Sequence, residues 1–241
     1  MKWIIVTGDS KGLGKEISFQ ILTETDYGVI GLSRSGEESV QDLIAAYPAR
    51  FKHISYDLAN ADDVKQLYVD QIRKIGPIQG LVNNSALAYD DIVSNLNVDR
   101  LQLMYQVNVF SAMNLTKYAI RDMLLNKTQG SIVHISSVSA HTGYKGLSMY
   151  ASTKGAMEAF SKNVAREWGG VGIRSNCVVP GFMETSMSAS LSIEQKERIY
   201  QRTSLKRETD VASAASTVLF LLTDKARSIT GSVIHVDNGT I

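Results

Sequence analysis

The 241-residue chain is 44% hydrophobic and 20% charged, enough apolar content for one substantial core, and an α/β chain of this length commonly closes as one domain. A single domain over 1–241 is expected. A net charge of +1 without a long basic block argues against nucleic-acid partners, and Trp3-Ile4-Ile5-Val6 before Gly8 is too short for a signal core or a membrane span. No membrane partner and a cytoplasmic location are therefore expected. The lone Cys177 has no internal disulfide partner and reads as buried filler, and four scattered histidines offer no ligand spacing for a metal.

In chain order, short apolar runs rich in Val and Ile alternate with segments of helical period. A strand is expected over 3–7, a helix over 14–23, a strand over 28–32, a helix over 37–46, a strand over 51–56 and a helix over 61–74. The alternation continues with a strand at 80–83, a helix at 100–125, a strand at 131–136, a helix at 149–168, a strand at 173–179, a helix at 211–223 and a strand at 233–236. Repeated β-α units predict a doubly wound, Rossmann-like, seven-stranded parallel sheet with helices on both faces and ligand loops at the strands' carboxyl ends. The one long irregular stretch, 181–207, reads as a substrate lid.

Directly after the first strand comes Thr7-Gly8-Asp9-Ser10-Lys11-Gly12-Leu13-Gly14. Its glycines let the backbone turn tightly and approach a pyrophosphate, whose charge suits the N-terminus of the following helix. The second strand ends in Ser33-Arg34-Ser35, where an acidic residue would bind a bare ribose 2′-hydroxyl. Arg34 instead suits a 2′-phosphate, with Lys11 as a second positive charge, so NADP is expected over NAD. Asp57-Leu58 after the third strand and Asn83-Asn84-Ser85 after the fourth place polar groups where adenine and ribose would lie; Asp and Asn there equally suit caps and turns.

Tyr150 and Lys154 are four apart on an expected helix and so share a face, about 6 Å apart along its axis. An ammonium beside a phenol stabilises the phenolate and is expected to lower the Tyr150 pKa, making the tyrosine a usable proton donor. Ser137 closes the fifth strand where a hydroxyl can hold a carbonyl oxygen. Asn108 interrupts an apolar helix face and needs buried partners, whether for catalysis or for a helix kink.

Thr7-Gly8-x3-Gly12-x-Gly14, Asp57, Asn83-Asn84, Asn108, Ser137, Tyr150-x3-Lys154, Pro180-Gly181 and Thr185 together resemble the compact single-domain branch of the short-chain dehydrogenase/reductase family. Nearly the whole chain takes part, and 174–185 is similar to the 3-oxoacyl-acyl-carrier-protein reductases. The resemblance implies NADPH-dependent reduction of a carbonyl, with Tyr150 donating the proton and Ser137 orienting the carbonyl. Lys154 would hold the nicotinamide ribose and depress the Tyr150 pKa, while Asn108 would anchor a relay water. By the same resemblance Gly8, Gly12 and Gly14 hold the pyrophosphate, Asp57 the adenine and Asn83 the ribose side, with Pro180, Gly181 and Thr185 flanking the nicotinamide. It also implies a small carbonyl substrate, with a thioester-linked acyl group as one candidate. Homodimers or homotetramers would pair the helices 100–125 and 149–168; Met104, Met113, Met123, Met149 and Met157 on them suit either an interface or core. A non-catalytic NADP-binding regulator and a sugar or small-ketone dehydrogenase or epimerase are the competing functions.

Overall fold

The apolar runs become seven strands: β1 (Trp3–Thr7), β2 (Gly28–Ser33), β3 (Phe51–Ser55), β4 (Ile78–Asn83), β5 (Ser131–Ile135), β6 (Arg174–Pro180) and β7 (Val233–Val236). In the computed structural model, which describes residues 1–34, 36, 38–184 and 191–240, they form one sheet in the order β3-β2-β1-β4-β5-β6-β7. Every neighbouring pair is parallel. Ser35, Glu37 and Thr185 lie outside the described residues.

Helices cover both faces, as a parallel sheet requires. They are α1 (Gly12–Glu24), α2 (Glu38–Ala46), α3 (Val64–Leu67 continuing through Tyr68–Ile72 to Arg73–Ile75), α4 (Val98–Tyr105 through Gln106–Phe110 to Ser111–Leu125), α5 (Ser148–Trp168), α6 (Ile193–Tyr200) and α7 (Val211–Leu222). Strand side chains alternate between two cores. Ile5, Ile30, Leu81 and Ile132 pack on α3, α4 and α5, whereas Ile4, Val6, Val82 and Val133 pack on α1, α2 and α7. Each such side chain, fully buried, contributes about 1.5–3 kcal/mol, so the central strands are the rigid platform on which the loops rest.

Several boundaries differ from the sequence reading, each for a local reason. β4 begins at Ile78 because Trp3 pairs with it across a register shift. The middle segments of α3 and α4 are π turns, each opening the helical ladder by one residue. Within 181–207, expected to be irregular, lies the helix α6, capped by Ser192 and Gln195 in a reciprocal capping box. Four of the five helix methionines are core: Met104, Met123, Met149 and Met157 are buried, and only Met113 is partly covered. Cys177 is fully buried, and burial pushes its thiol up to about 12, which keeps it unreactive at neutral pH.

Candidate active site

The sheet order reverses at β1, with β2 on one side and β4 on the other, and ligands of such sheets bind outside the strand ends at that point. A cleft of about 750 Å³ opens there, lined from five strand ends by Gly8, Ser33, Asn84, Ser136 and Pro180 among others. This is within the usual range for a small-molecule site.

The glycine loop forms one arm. Gly8 and Gly12 have φ of +72° and +53°, the left-handed region. A Cβ on Gly14 would lie 2.0 Å from the Gly8 carbonyl oxygen, so Gly14 does not line the cleft; its bareness lets α1 abut the loop. Thr7 Oγ1 accepts the backbone N–H groups of Asn84 and Ser85, both at 2.9 Å. Asn84 Nδ2 donates to the Thr7 carbonyl at 2.9 Å, so the ends of β1 and β4 are stitched together. Ser10, Lys11, Leu13, Ser33, Arg34, Asp57 and Leu58 all border this arm. Arg34 is exposed, its guanidinium available to an anion from solvent. Asp57 combines both of its expected readings: it borders the cleft and its Oδ1 accepts the Ala59 N–H at 3.0 Å in a turn.

Asn83 requires correction. Its side chain points away from the main cleft into the core, where Nδ2 meets Thr116 Oγ1 and His134 Nδ1, both at 3.1 Å. Burial holds His134 down at about 3, so it is a neutral acceptor for that amide. The alternation of β4 explains the miss, since neighbours on a strand face opposite sides and Asn84, not Asn83, faces the cleft. Sequence reasoning also passed over Asp9, whose fully buried carboxylate meets His53 Nδ1 at 2.9 Å beneath the loop.

On the opposite wall, Ser137, Tyr150 and Lys154 come together. Ser137 Oγ accepts from Ser139 N at 3.2 Å and from Ser139 Oγ at 3.0 Å, and lies close enough to the Tyr150 hydroxyl to favour its phenolate. Lys154 Nζ donates to the Ile135 carbonyl at 2.8 Å and sits 5.4 Å from the Tyr150 ring centre. The expectation that Lys154 lowers the tyrosine pKa is reversed in the chain alone. Desolvation pushes Tyr150 up to about 12, the nearby Asp90 carboxylate adds to the rise, and only Ser137 opposes it. Burial also pulls Lys154 down to about 8. The tyrosine is therefore a protonated donor at neutral pH.

Asn108 lies in the π turn of α4. Its Oδ1 accepts the Leu87 N–H at 2.7 Å, and Nδ2 donates to the Leu87 carbonyl at 2.9 Å and to Thr153 Oγ1 at 3.0 Å. Both amide hydrogens are thus taken, leaving the side chain only acceptor capacity. Asn108 and Lys154 line a small cavity of about 10 Å³, close to the space for one water. At the outer end, Leu87, Leu103, Leu147, Phe182 and Ile199 give the cleft an apolar wall, with Tyr144, Lys145, Asp90 and Arg202 as its polar members. His141 Nε2 faces Glu158 at 2.9 Å. Pro180 and Gly181 close the floor, with Gly181 N–H donating to the Val236 carbonyl at 2.9 Å.

A family model described as enoyl-(acyl carrier protein) reductase matches residues 8–240. The 3-oxoacyl-[acyl-carrier-protein] reductase FabG of Staphylococcus aureus strain Mu50 is 33% identical over 242 residues, 99% of this chain and 97% of its own. The chain belongs to the short-chain dehydrogenase/reductase family. FabG of Vibrio cholerae is 31% identical over 240 residues, 99% of this chain and 96% of its own. Among solved structures, a short-chain dehydrogenase/reductase family protein superposes with a TM-score of 0.87 at 27% identity, covering 99% and 96% of the two chains. ElxO with NADP bound gives 0.90 at 26%, covering 99% and 98%. This short-chain dehydrogenase/reductase is accordingly an oxidoreductase, and its doubly wound seven-stranded parallel sheet is the fold of those neighbours.

Proposed function

We propose that this enzyme reduces a ketone to a secondary alcohol with NADPH, and the observation that carries the reading is the meeting of Ser137, Tyr150 and Lys154 across one cleft from the glycine loop. The residues present fit a phosphorylated dinucleotide: Gly8 and Gly12 border the cleft with left-handed φ where the loop enters the N-terminus of α1, and Lys11 and Arg34 border the same arm. When bound, the cofactor supplies the hydride to the carbonyl carbon. Gly8, Gly12 and Leu13 hold the diphosphate; Ser10, Lys11, Ser33 and Arg34 hold the 2′-phosphate. Asp57, Leu58, Asn84 and Ser85 line the nucleoside end, while Pro180 and Gly181, which border the same cleft as Lys154, would flank the nicotinamide. Ser137 holds the ketone oxygen and Tyr150 Oη delivers a proton to it as the carbon is reduced.

The apolar outer wall suits an acyl chain, and Lys145 and Arg202 at its rim suit a phosphate-bearing carrier arm. With two 3-oxoacyl-carrier reductases among the relatives, a 3-oxoacyl thioester is the substrate proposed. NADPH consumption on an acetoacetyl thioester, simple ketones, a cyclic diketone and a crotonyl thioester is the test. Turnover of the acetoacetyl thioester is expected; turnover of the crotonyl thioester alone would replace ketone reduction by alkene reduction, the activity named by the matching family model. Tight NADPH binding without turnover would favour the regulator.

Arg34→Ala is expected to raise the KM for NADPH by about 10- to 100-fold, the equivalent of one or two hydrogen bonds to a charged group, and to leave that for NADH unchanged. Equal effects on both cofactors would remove Arg34 from 2′-phosphate recognition. The enzyme is further proposed to be a cytoplasmic homodimer or homotetramer. No helix among the described residues is long and apolar enough to cross a membrane, and Phe110 on α4 is half exposed with its ring near Tyr105, itself packed with the partly buried Met113 and Phe160 around Val109 and Ala112. Light scattering that gave a monomer would reject the oligomer.

A further inference from the structure

The helix α5 carries a third polar group in line with Tyr150 and Lys154. Glu158 follows Lys154 by one turn, so the three lie at i, i+4 and i+8 on one face. Each grips a different residue at the end of β5. Lys154 Nζ binds the Ile135 carbonyl, Glu158 Oε1 accepts the Ser136 hydroxyl, and Tyr150 faces Ser137, whose hydroxyl favours its phenolate. The same Glu158 oxygen also meets His141 Nε2 at 2.9 Å. One carboxylate oxygen therefore ties down both ends of the turn 136–141, with Ser137 held between them.

Glu158 is buried, and no Lys or Arg forms an ion pair with it among the described residues. Burying a carboxylate is costly, and an apolar side chain would fill this place in the core at lower cost. The His141 ring is braced from behind by His235 of β7, with ring centres 4.6 Å apart, and His235 Nδ1 lies 3.9 Å from Asp237. The clamp is thus anchored to the sheet as well as to the helix.

We infer that Glu158, with His141, is a positioning residue that fixes the 136–141 turn so that Ser137 Oγ stays registered on the Tyr150 hydroxyl, making the working unit Tyr-x3-Lys-x3-Glu. The inference rests on the catalytic reading of Ser137 and Tyr150. Misplacing a catalytic group by about 1 Å costs on the order of 100-fold in rate, so Glu158→Ala is expected to lower kcat by roughly 10- to 100-fold. NADPH affinity, read by fluorescence titration, stays within about threefold, because the clamp lies away from the glycine loop. Glu158→Gln keeps the Oε1 acceptor and restores most of kcat. In a Ser137→Ala background, Glu158→Ala has little further effect, as expected of groups that act as one unit.

Full activity in Glu158→Ala overturns the inference, and so does an undiminished effect of Glu158→Ala when Ser137 is already alanine. If Glu158→Ala fails to fold, His141→Ala at the exposed end of the clamp decides: a kcat loss of about threefold or more with unchanged NADPH affinity supports the inference, and wild-type kcat overturns it. A Ser137→Ala enzyme as active as wild type would mark failure of the catalytic reading itself, a result separable from the others.

Discussion

Tyr150→Phe is expected to lower kcat for ketone reduction by about a thousandfold, within the range of a positioned general acid, while leaving NADPH binding unchanged. Burial and the neighbouring Asp90 push the Tyr150 phenol up to about 12, so at pH 7 it is fully protonated and carries the proton that the forming alkoxide needs. The ring packs with Tyr89, Met104 and Met149, contacts that phenylalanine retains, and the loss therefore falls on proton transfer rather than on folding. Because the raised pKa favours the neutral phenol, the difference in ultraviolet absorbance between wild type and Tyr150→Phe should show no phenolate below pH 10 in the protein alone. Saturation with NADP⁺, whose nicotinamide would bring positive charge near the hydroxyl, should move that phenolate signal to lower pH. A Tyr150→Phe enzyme within tenfold of wild-type kcat would remove Tyr150 from the chemistry.

The fold was legible because its central strands are buried on both faces and read as short runs rich in Val and Ile, as at Trp3–Thr7 and Ser131–Ile135. What escaped was whatever depended on partners distant in the chain. The π turn at Gln106–Phe110 coincides with the bonding of Asn108 to the Leu87 backbone 21 residues away, and no local period announces it. The helix α6 has no buried face, so hydrophobic periodicity passed over it, although Ser192-Ile193-Glu194-Gln195 spells a capping box that was there to be read. At the site, the glycine loop and Tyr150-x3-Lys154 are local patterns, and the fold carries them to one cleft. Asn83 and Asn84 are indistinguishable as residue types; only the pleat of β4 separates the one that faces His134 from the one that faces the loop. Glu158 was invisible for the opposite reason, since a glutamate on a helix ordinarily reads as a solvated surface charge.

Lys154→Met should separate stability from function more sharply than any other substitution. The lysine is almost wholly buried, and desolvation lowers its pKa from 10.5 to about 8. A cation whose folded-state pKa lies below the unfolded value weakens the fold while it is charged. Between pH 8 and pH 10.5 the unfolded chain binds more protons than the folded one, so this group's contribution to stability rises with pH across that window by about 3 kcal/mol. At pH 7 the whole penalty is present. Methionine has similar length and no charge to bury, but it leaves the Ile135 carbonyl without its donor, which costs about 1–3 kcal/mol. The variant is accordingly expected to have a urea midpoint at pH 7 close to or above that of wild type, with wild type gaining on it as pH rises to 10. Its kcat should fall by roughly a hundredfold or more, the scale of a lost positioned group, because the ammonium proposed to hold the nicotinamide ribose is gone. Unfolding curves for both proteins at pH 7, 8.5 and 10 test this. A gap in stability that stays constant across those pH values would mean that Lys154 is not held as a strained cation, and the site would then be built without the stability sacrifice described for it here.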